Sequence, residues 1–293
     1  MSKPLMGKVA LVTGGSRGLG AATVRLLAEQ GADVAFTYVS SEEQAQAVVD
    51  EVHGKGAKAV AFQSDQADTS RAPALIDDVV AHFGGLDILV NNAAISVAGT
   101  VDDPDADTAA LDRMHATNYL GVIAVIRAAS RVLRTGGRII TVSSGLGSRV
   151  GAPGLADYSA TKSGIERYTM GVARDLGPRN ITANVVEAGL MEGGMQPPDP
   201  ETLKALLSSL SLQRIGQPEE IAAAIAFLAS PTASYVTGAV LDCPRRLQRL
   251  NPNPCRAPRR KSRLRGAAAD SARASLCGRG TGRTGQVFGR RTL

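Results

Sequence analysis

Short, almost wholly apolar runs alternate with longer amphipathic segments over the first 242 residues. "KVALV" (8–12), "DVAFTY" (33–38), "KAVAFQ" (58–63), "DILVNN" (87–92), "RIITVSS" (138–144), "ITANVV" (181–186) and "GAVLD" (238–242) are predicted strands. Most lack the apolar/polar alternation of a half-exposed sheet, as strands covered on both faces do. Between them, "GAATVRLLAEQG" and "PEEIAAAIAFLAS" keep the helical period, with Gly31 where a C-terminal cap belongs and Pro218 near the start of the second. Repeated strand–helix–strand units require right-handed crossovers and a parallel sheet with helices on both faces. The fold expected is α/β: a Rossmann-type, doubly wound, parallel seven-stranded sheet in a single domain. Such sheets bind ligands beyond the carboxyl ends of the strands, where strand order reverses. Chemistry is therefore sought just after each strand.

The first strand runs into "TGGSRGLG" (13–20), spaced G-x-x-x-G-x-G from Gly14 through Gly18 to Gly20, and then directly into a helix. Glycines let the chain turn tightly and approach a pyrophosphate, and the helix N-terminus adds unpaired N–H groups and a positive dipole end. A glycine turn can be purely structural, but the first strand–turn–helix of an α/β chain is the context a dinucleotide site needs. The second strand ends in "TYVSS" (37–41), without the Asp or Glu that holds the ribose 2′-hydroxyl of NAD. Arg17, Ser40 and Ser41 suit a 2′-phosphate instead, so the cofactor expected is NADP(H).

The third strand ends near Asp65, the fourth at "NNAA" (91–94) and the fifth at "SSG" (143–145); Tyr158 lies fourteen residues beyond Ser144, and Lys162 follows in "DYSATKSG" (157–164). Residues i and i+4 share a helix face, so Y-x-x-x-K alone is equally compatible with a tyrosine that merely packs. In this combination and order, from about Lys8 to Asp242, the chain resembles the short-chain dehydrogenase/reductase family, in its NADP(H)-using branch of 3-oxoacyl-carrier-protein-reductase-like enzymes. The resemblance implies a catalytic set of Asn118 (in "HATNYLG"), Ser144, Tyr158 and Lys162. Ser144 would hydrogen-bond the substrate carbonyl, Tyr158 would exchange the proton, Lys162 would bind the nicotinamide ribose, and Asn118 would support a water chain to the lysine. The implied cofactor-binding set is Gly14, Ser16, Arg17, Gly18, Leu19, Gly20, Tyr38, Ser40, Ser41, Asp65 (toward the adenine) and Asn92 (toward the adenosine ribose), together with Tyr158 and Lys162. A phenol titrating near ~10 needs roughly 4 kcal/mol to reach neutrality. An ammonium about 4 Å away supplies about that at an effective dielectric near 20, so Lys162 is expected to lower the Tyr158 pKa.

Three features depart from the family pattern. Ala94 stands at a glycine position, Ala188 and Gly193 in "EAGLMEGGM" replace a proline and a nicotinamide-contacting threonine, and the composition changes after Asp242. A looser lid loop over 190–210 and a weaker hold on the nicotinamide are expected; the lid carries no readable code for a substrate. Residues 1–242 hold 19 Lys+Arg against 26 Asp+Glu, whereas residues 243–293 hold 14 against 1 and all three cysteines. The catalytic domain is therefore set at 1–242, and disorder is expected from about Pro244, since an Arg/Pro/Gly/Ala-rich segment buries too little to offset its ordering entropy. That segment reads either as a basic arm for a polyanion or as a shifted reading frame in a GC-rich gene, and its onset inside a family motif favours the second.

A cysteine-free body suggests a reducing compartment, and no apolar run is long enough to span a bilayer, so a cytoplasmic protein is expected. His53, His82 and His115 are scattered and no Cys/His cluster has metal-ligand spacing, so no metal is expected. The acidic run "DDPDAD" (102–107) reads as a solvated loop, and aromatics at 3% with no Trp make nucleic acid an unexpected partner. The function expected is NADPH-dependent reduction of a ketone or 3-oxoacyl (acyl-thioester) substrate by a homo-oligomer, dimer or tetramer. The alternative is an NADP(H)-binding sensor or scaffold with the tail as a polyanion-binding arm.

Overall fold

The computed structural model describes residues 3–150, 152–194, 200–208 and 210–243. Among them lies a seven-stranded sheet ordered β3-β2-β1-β4-β5-β6-β7, with every neighbouring pair parallel. The strands are β1 (Val9–Val12), β2 (Asp33–Tyr38), β3 (Ala59–Gln63), β4 (Leu86–Asn91), β5 (Leu133–Ser144), β6 (Thr182–Ala188) and β7 (Val240–Cys243). From β1 the chain steps outward to β3, returns across β1 to β4, and steps outward the other way. The reversal point therefore lies between β1 and β4.

The central strands are buried along their whole length, as β1, β4 and β6 show, while the edge strands β3 and β7 are partly exposed. Alternate residues feed two cores. Ala10, Val12, Val34, Phe36, Ile88 and Val90 meet α1 (Gly18–Glu29), α2 (Glu42–Gly54) and α9 (Pro218–Ala229) on one face. Val9, Leu11, Leu89, Ile139 and Ala183 meet α3 (Ala72–Phe83), α5 (Val122–Val132) and α7 (Ala156–Leu176) on the other. Each fully buried Leu, Ile or Phe contributes about 1.5–3 kcal/mol, which is why continuous apolar runs survive as central strands.

Most strand boundaries shift by one or two residues from the sequence reading, and two of the differences matter for the site. β5 begins at Leu133, which pairs with Leu86 before the register shifts and Arg138 pairs with Ile88; the intervening "RTGG" gives no apolar signal. β7 takes in Cys243, whose carbonyl accepts the Gly189 N–H (2.7 Å), so the strand runs one residue past the expected Asp242 and brings a free cysteine into the described residues. The expected disorder beyond Pro244 lies outside the described residues, as do 195–199 and 209 of the lid.

Further elements include the helix α4 (Thr108–His115), a π-helical turn (Ala116–Gly121) joining it to α5, and two short helices, α6 (Gly145–Ser148) and α8 (Pro200–Ser208). Asp107, the last residue of the acidic run, caps α4 by accepting the Ala110 N–H (2.9 Å). The base of the lid is held where the Gly216 N–H donates to the Leu190 carbonyl (3.0 Å) and the Glu192 N–H to the Gly216 carbonyl (2.9 Å). Arg214 then grips Glu220, the capping-box residue of α9, through both guanidinium nitrogens (2.7 and 2.6 Å), which pulls the carboxyl down to about 2.

Candidate active site

The glycine turn after β1 is built by its neighbours. Gly14 N–H donates to Thr37 Oγ1 (3.0 Å) and Gly15 N–H to the Thr37 carbonyl (2.9 Å), tying the turn to β2. On the other side Thr13 Oγ1 accepts the Asn92 and Ala93 N–H groups (3.0 Å each), and Asn92 Nδ2 donates to the Thr13 and Gly14 carbonyls (3.0 Å each). A Cβ on Gly20 would collide with the Gly14 carbonyl oxygen, whereas one on Gly18 would meet, among the described residues, only the Gly193 carbonyl at 3.8 Å. Gly18 is a glycine for its backbone, at φ +51. Arg17 precedes α1 without a capping side chain, and the first turn has no acid, so the opening N–H groups of the helix face an uncapped, electropositive end. Leu19 and Gly20 are buried, and Arg17 and Gly18 are exposed at the mouth.

At the neighbouring strand ends the expected residues divide. Ser40 is exposed and Ser41 half-buried just beyond β2, near α2's start, while the Tyr38 ring lines a groove with Ala45, Gln46 and Val49 of α2 and Ala59 of β3. Asp65 accepts the Ala67 N–H (3.0 Å) and pairs with Arg113 (2.9 Å). Those two donors outweigh the cost of partial burial and hold its carboxyl below the usual range. The Asn92 amide is committed to the backbone of the glycine turn, which makes it a brace for that turn. Asn118 sits in the π-helical turn, where its Oδ1 accepts the Ile95 N–H (2.9 Å) and its Nδ2 donates to the Ile95 carbonyl (2.8 Å). Its side chain thus fixes the segment after β4.

Ser144, Tyr158 and Lys162 come together where β5 ends against α7. The 21-residue helix presents Tyr158, Lys162, Glu166 and Thr169 inward, a buried polar seam against Thr141, Ser143 and Ser144 of β5. His115 meets Asp157 (2.8 Å) and so ties α4 to the start of α7. Ser144 Oγ accepts the Leu146 N–H (3.2 Å), and its hydroxyl is close enough to the Tyr158 phenol to act on its ionisation. Lys162 Nζ lies 5.8 Å from the centroid of the Tyr158 ring and donates to the Val142 carbonyl (3.2 Å).

The electrostatics reverse one expectation. Burial pushes the Tyr158 phenol above its ordinary value, and the Ser144 hydroxyl offsets this only in part. Lys162 does not draw the phenol toward neutrality here, because burial brings the lysine itself down to about 8 and its ammonium is directed at a backbone carbonyl. Desolvation outweighs the lone ammonium.

These residues fit a dinucleotide: an uncapped helix N-terminus, open space at Gly18 and an exposed Arg17 lie at one end of the reversal point, with Tyr158 and Lys162 at the other. Ala188, at the expected proline position, is buried beside Ser144 in the β5–β6 register, and Gly193 is exposed. Sequence reasoning missed Thr13, Thr37 and Gln66, the last of which donates to the Ala93 and Thr117 carbonyls (3.0 and 2.8 Å). It also missed Glu166 and Glu187, buried acids in helix and strand whose only signal was a charge inside an apolar pattern. Among the described residues no group of three His, Cys, Asp or Glu is placed to hold a metal, and no helix is long and apolar enough to cross a membrane.

Residues 14–243 match the family described as Enoyl-(Acyl carrier protein) reductase. The chain is 42% identical over 236 residues to the 3-oxoacyl-acyl-carrier-protein reductase of Staphylococcus aureus, covering 80% of this chain and 95% of that protein. It is 41% identical over 234 residues to a cyclic-di-GMP-binding biofilm dispersal mediator of Escherichia coli, covering 80% and 94%. A short-chain dehydrogenase of Burkholderia cenocepacia, solved in complex with NADP, superposes with a TM-score of 0.78 at 44% identity over 82% of this chain and 97% of that one. Fold, strand-end residues and relatives agree: the chain belongs to the short-chain dehydrogenase/reductase family of oxidoreductases, in its 3-oxoacyl-reductase-like branch.

Proposed function

We propose that the protein is an NADPH-dependent reductase of a ketone or 3-oxoacyl group, with Tyr158 as the proton donor. The observation that carries this reading is the convergence of Ser144 at the end of β5 with the buried Tyr158 and Lys162 of α7, the lysine 5.8 Å from the tyrosine ring centroid. When bound, NADPH supplies a hydride to the carbonyl carbon. Ser144, its oxygen already engaged by the Leu146 N–H, turns its own proton toward the carbonyl oxygen and steadies the growing negative charge. Tyr158 gives its proton to that oxygen. A phenol held above its ordinary pKa keeps its proton through neutral pH, the form in which it can donate to the carbonyl oxygen. Purified protein is expected to consume NADPH with at least one member of a panel of activated ketones, acyl-thioesters, quinones, sugars and steroids. Saturable NADPH binding with no turnover across the panel would replace this reading by the sensor or scaffold.

The cofactor choice rests on Arg17 and the acid-free end of β2, and the complex of the Burkholderia relative with NADP supports it. A charge-assisted hydrogen bond is worth about 1.5–3 kcal/mol, so Arg17→Ala is expected to weaken NADPH by about 10- to 100-fold while leaving NADH nearly unchanged. Equal losses in fluorescence titrations of the two cofactors would place the 2′-phosphate elsewhere. A cytoplasmic homo-oligomer completes the proposal, its self-association supported by exposed Phe227, Tyr235 and Leu241, the last on edge strand β7. Light scattering on the full chain tests it.

A further inference from the structure

Behind Lys162 lies a pair of acids that the reaction above does not use. Glu166 follows the lysine by one turn of α7, and Glu187 stands on β6; both are buried, at 5% and 4% exposure. The parallel register sets Ser143 of β5, Glu187 of β6 and Asp242 of β7 side by side. Ser143 Oγ donates to Glu166 Oε1 (2.5 Å) and lies 3.3 Å from the Lys162 carbonyl. Ser148 Oγ faces Glu187 Oε2 at 3.5 Å. Ser143 thus links the two acids, hydrogen-bonded to Glu166 and paired in register with Glu187, so both carboxyls share one buried nook. The α6 backbone closes this nook, since a Cβ on Gly147 would collide with Glu166 Oε1.

Two ionised carboxylates in one buried nook repel each other without water to screen them, so the pair holds one proton between them. The facing groups decide the net charge. Lys162 and Arg167 on α7 and Arg149 after α6 are the cations, while Asp242 on β7 adds negative charge beside Glu187 and the Cys243 thiol. Burial, with Glu166 and Asp242 as like charges, lifts Glu187 to about 7, and burial also lifts Glu166. Lys162 is lowered by burial and supported by the negative charge of Glu166.

We propose that Glu166 and Glu187 form a one-proton carboxyl pair that sets the charge on Lys162, making both positioning residues for the proton-donating end of the site. The proposal rests on the reductase reading, in which Lys162 works beside Tyr158. With one proton between them the pair carries a single negative charge, which keeps the buried ammonium charged. The alkaline limb of turnover then belongs to Lys162, near pH 8, because the phenol titrates higher.

The test is the pH profile of NADPH oxidation by full-length protein. Glu166→Gln removes the anion and is expected to move the alkaline limb down by about one pH unit, whereas Glu166→Asp should restore it. Glu187→Gln frees Glu166 to ionise at lower pH and is expected to leave the alkaline limb in place or raise it. Infrared spectroscopy near neutral pH reads the shared proton without turnover, as a protonated-carboxyl stretch present in the wild type and lost in Glu187→Gln. No such band would overturn the pair. A band with the limb unmoved in Glu166→Gln would overturn its role toward Lys162. A band in a protein that binds NADPH and turns nothing over would leave the pair standing and sink the reductase reading instead.

Discussion

Tyr158→Phe is expected to lower carbonyl-dependent NADPH oxidation by about 10²–10⁴-fold while changing NADPH affinity by no more than about threefold. The phenyl ring keeps the shape that fills the buried space above Lys162, so the fold loses little. What disappears is one hydroxyl, the proposed proton donor beside Ser144. Removing a group that acts in the transition state lowers kcat and kcat/KM together, and that joint fall separates this outcome from a binding defect. An unchanged kcat in Tyr158→Phe would sink the mechanism, since the proton would then come from a group other than the phenol.

The same tyrosine shows what the sequence could and could not reveal. Tyr158 and Lys162 were visible as a spacing, and Ser144 as the end of an apolar strand. The strand runs located the sheet because burial on both faces leaves them continuous, as in "DILVNN". Hidden from view was everything set by packing between distant segments. The spacing could not show that the Lys162 ammonium reaches the Val142 carbonyl, so the expected sign of the Tyr158 shift came out reversed. It could not show that Asn92 and Asn118 spend their amides on the backbones of Gly14 and Ile95, segments far from them in the chain. Glu187 looked like one charge in "ITANVVEAG", and only the alignment of β5, β6 and α7 makes it half of a pair. Local pattern reports which face is buried; it does not report which polar groups meet there.

The glycine turn yields the other large effect. In Gly20→Ala the new methyl would lie inside the contact distance of the Gly14 carbonyl oxygen and 2.7 Å from Asn92 Nδ2. Gly14 has nowhere to retreat, because its own Cβ position is already 3.0 Å from Ala93 Cα and its N–H is held by Thr37 Oγ1. Either the start of α1 moves outward or the Asn92 bonds to Thr13 and Gly14 break. Overpacking costs about 1–3 kcal/mol, and a buried amide left unpaired costs a similar amount. Gly20→Ala is therefore expected to destabilise the protein by about 2–4 kcal/mol and to weaken NADPH by about 10²-fold or more, since the displaced helix end no longer points at the pyrophosphate. Gly18→Ala supplies the contrast. Its side chain would enter open space, at a φ of +51 that costs an alanine about 1–2 kcal/mol, so its stability loss should be the smaller one while its methyl obstructs the approach of the phosphates. Thermal unfolding and NADPH titration of the two variants check both halves. Wild-type melting and affinity in Gly20→Ala would mean that the turn is not clamped between β2 and β4 as Thr37 and Asn92 indicate.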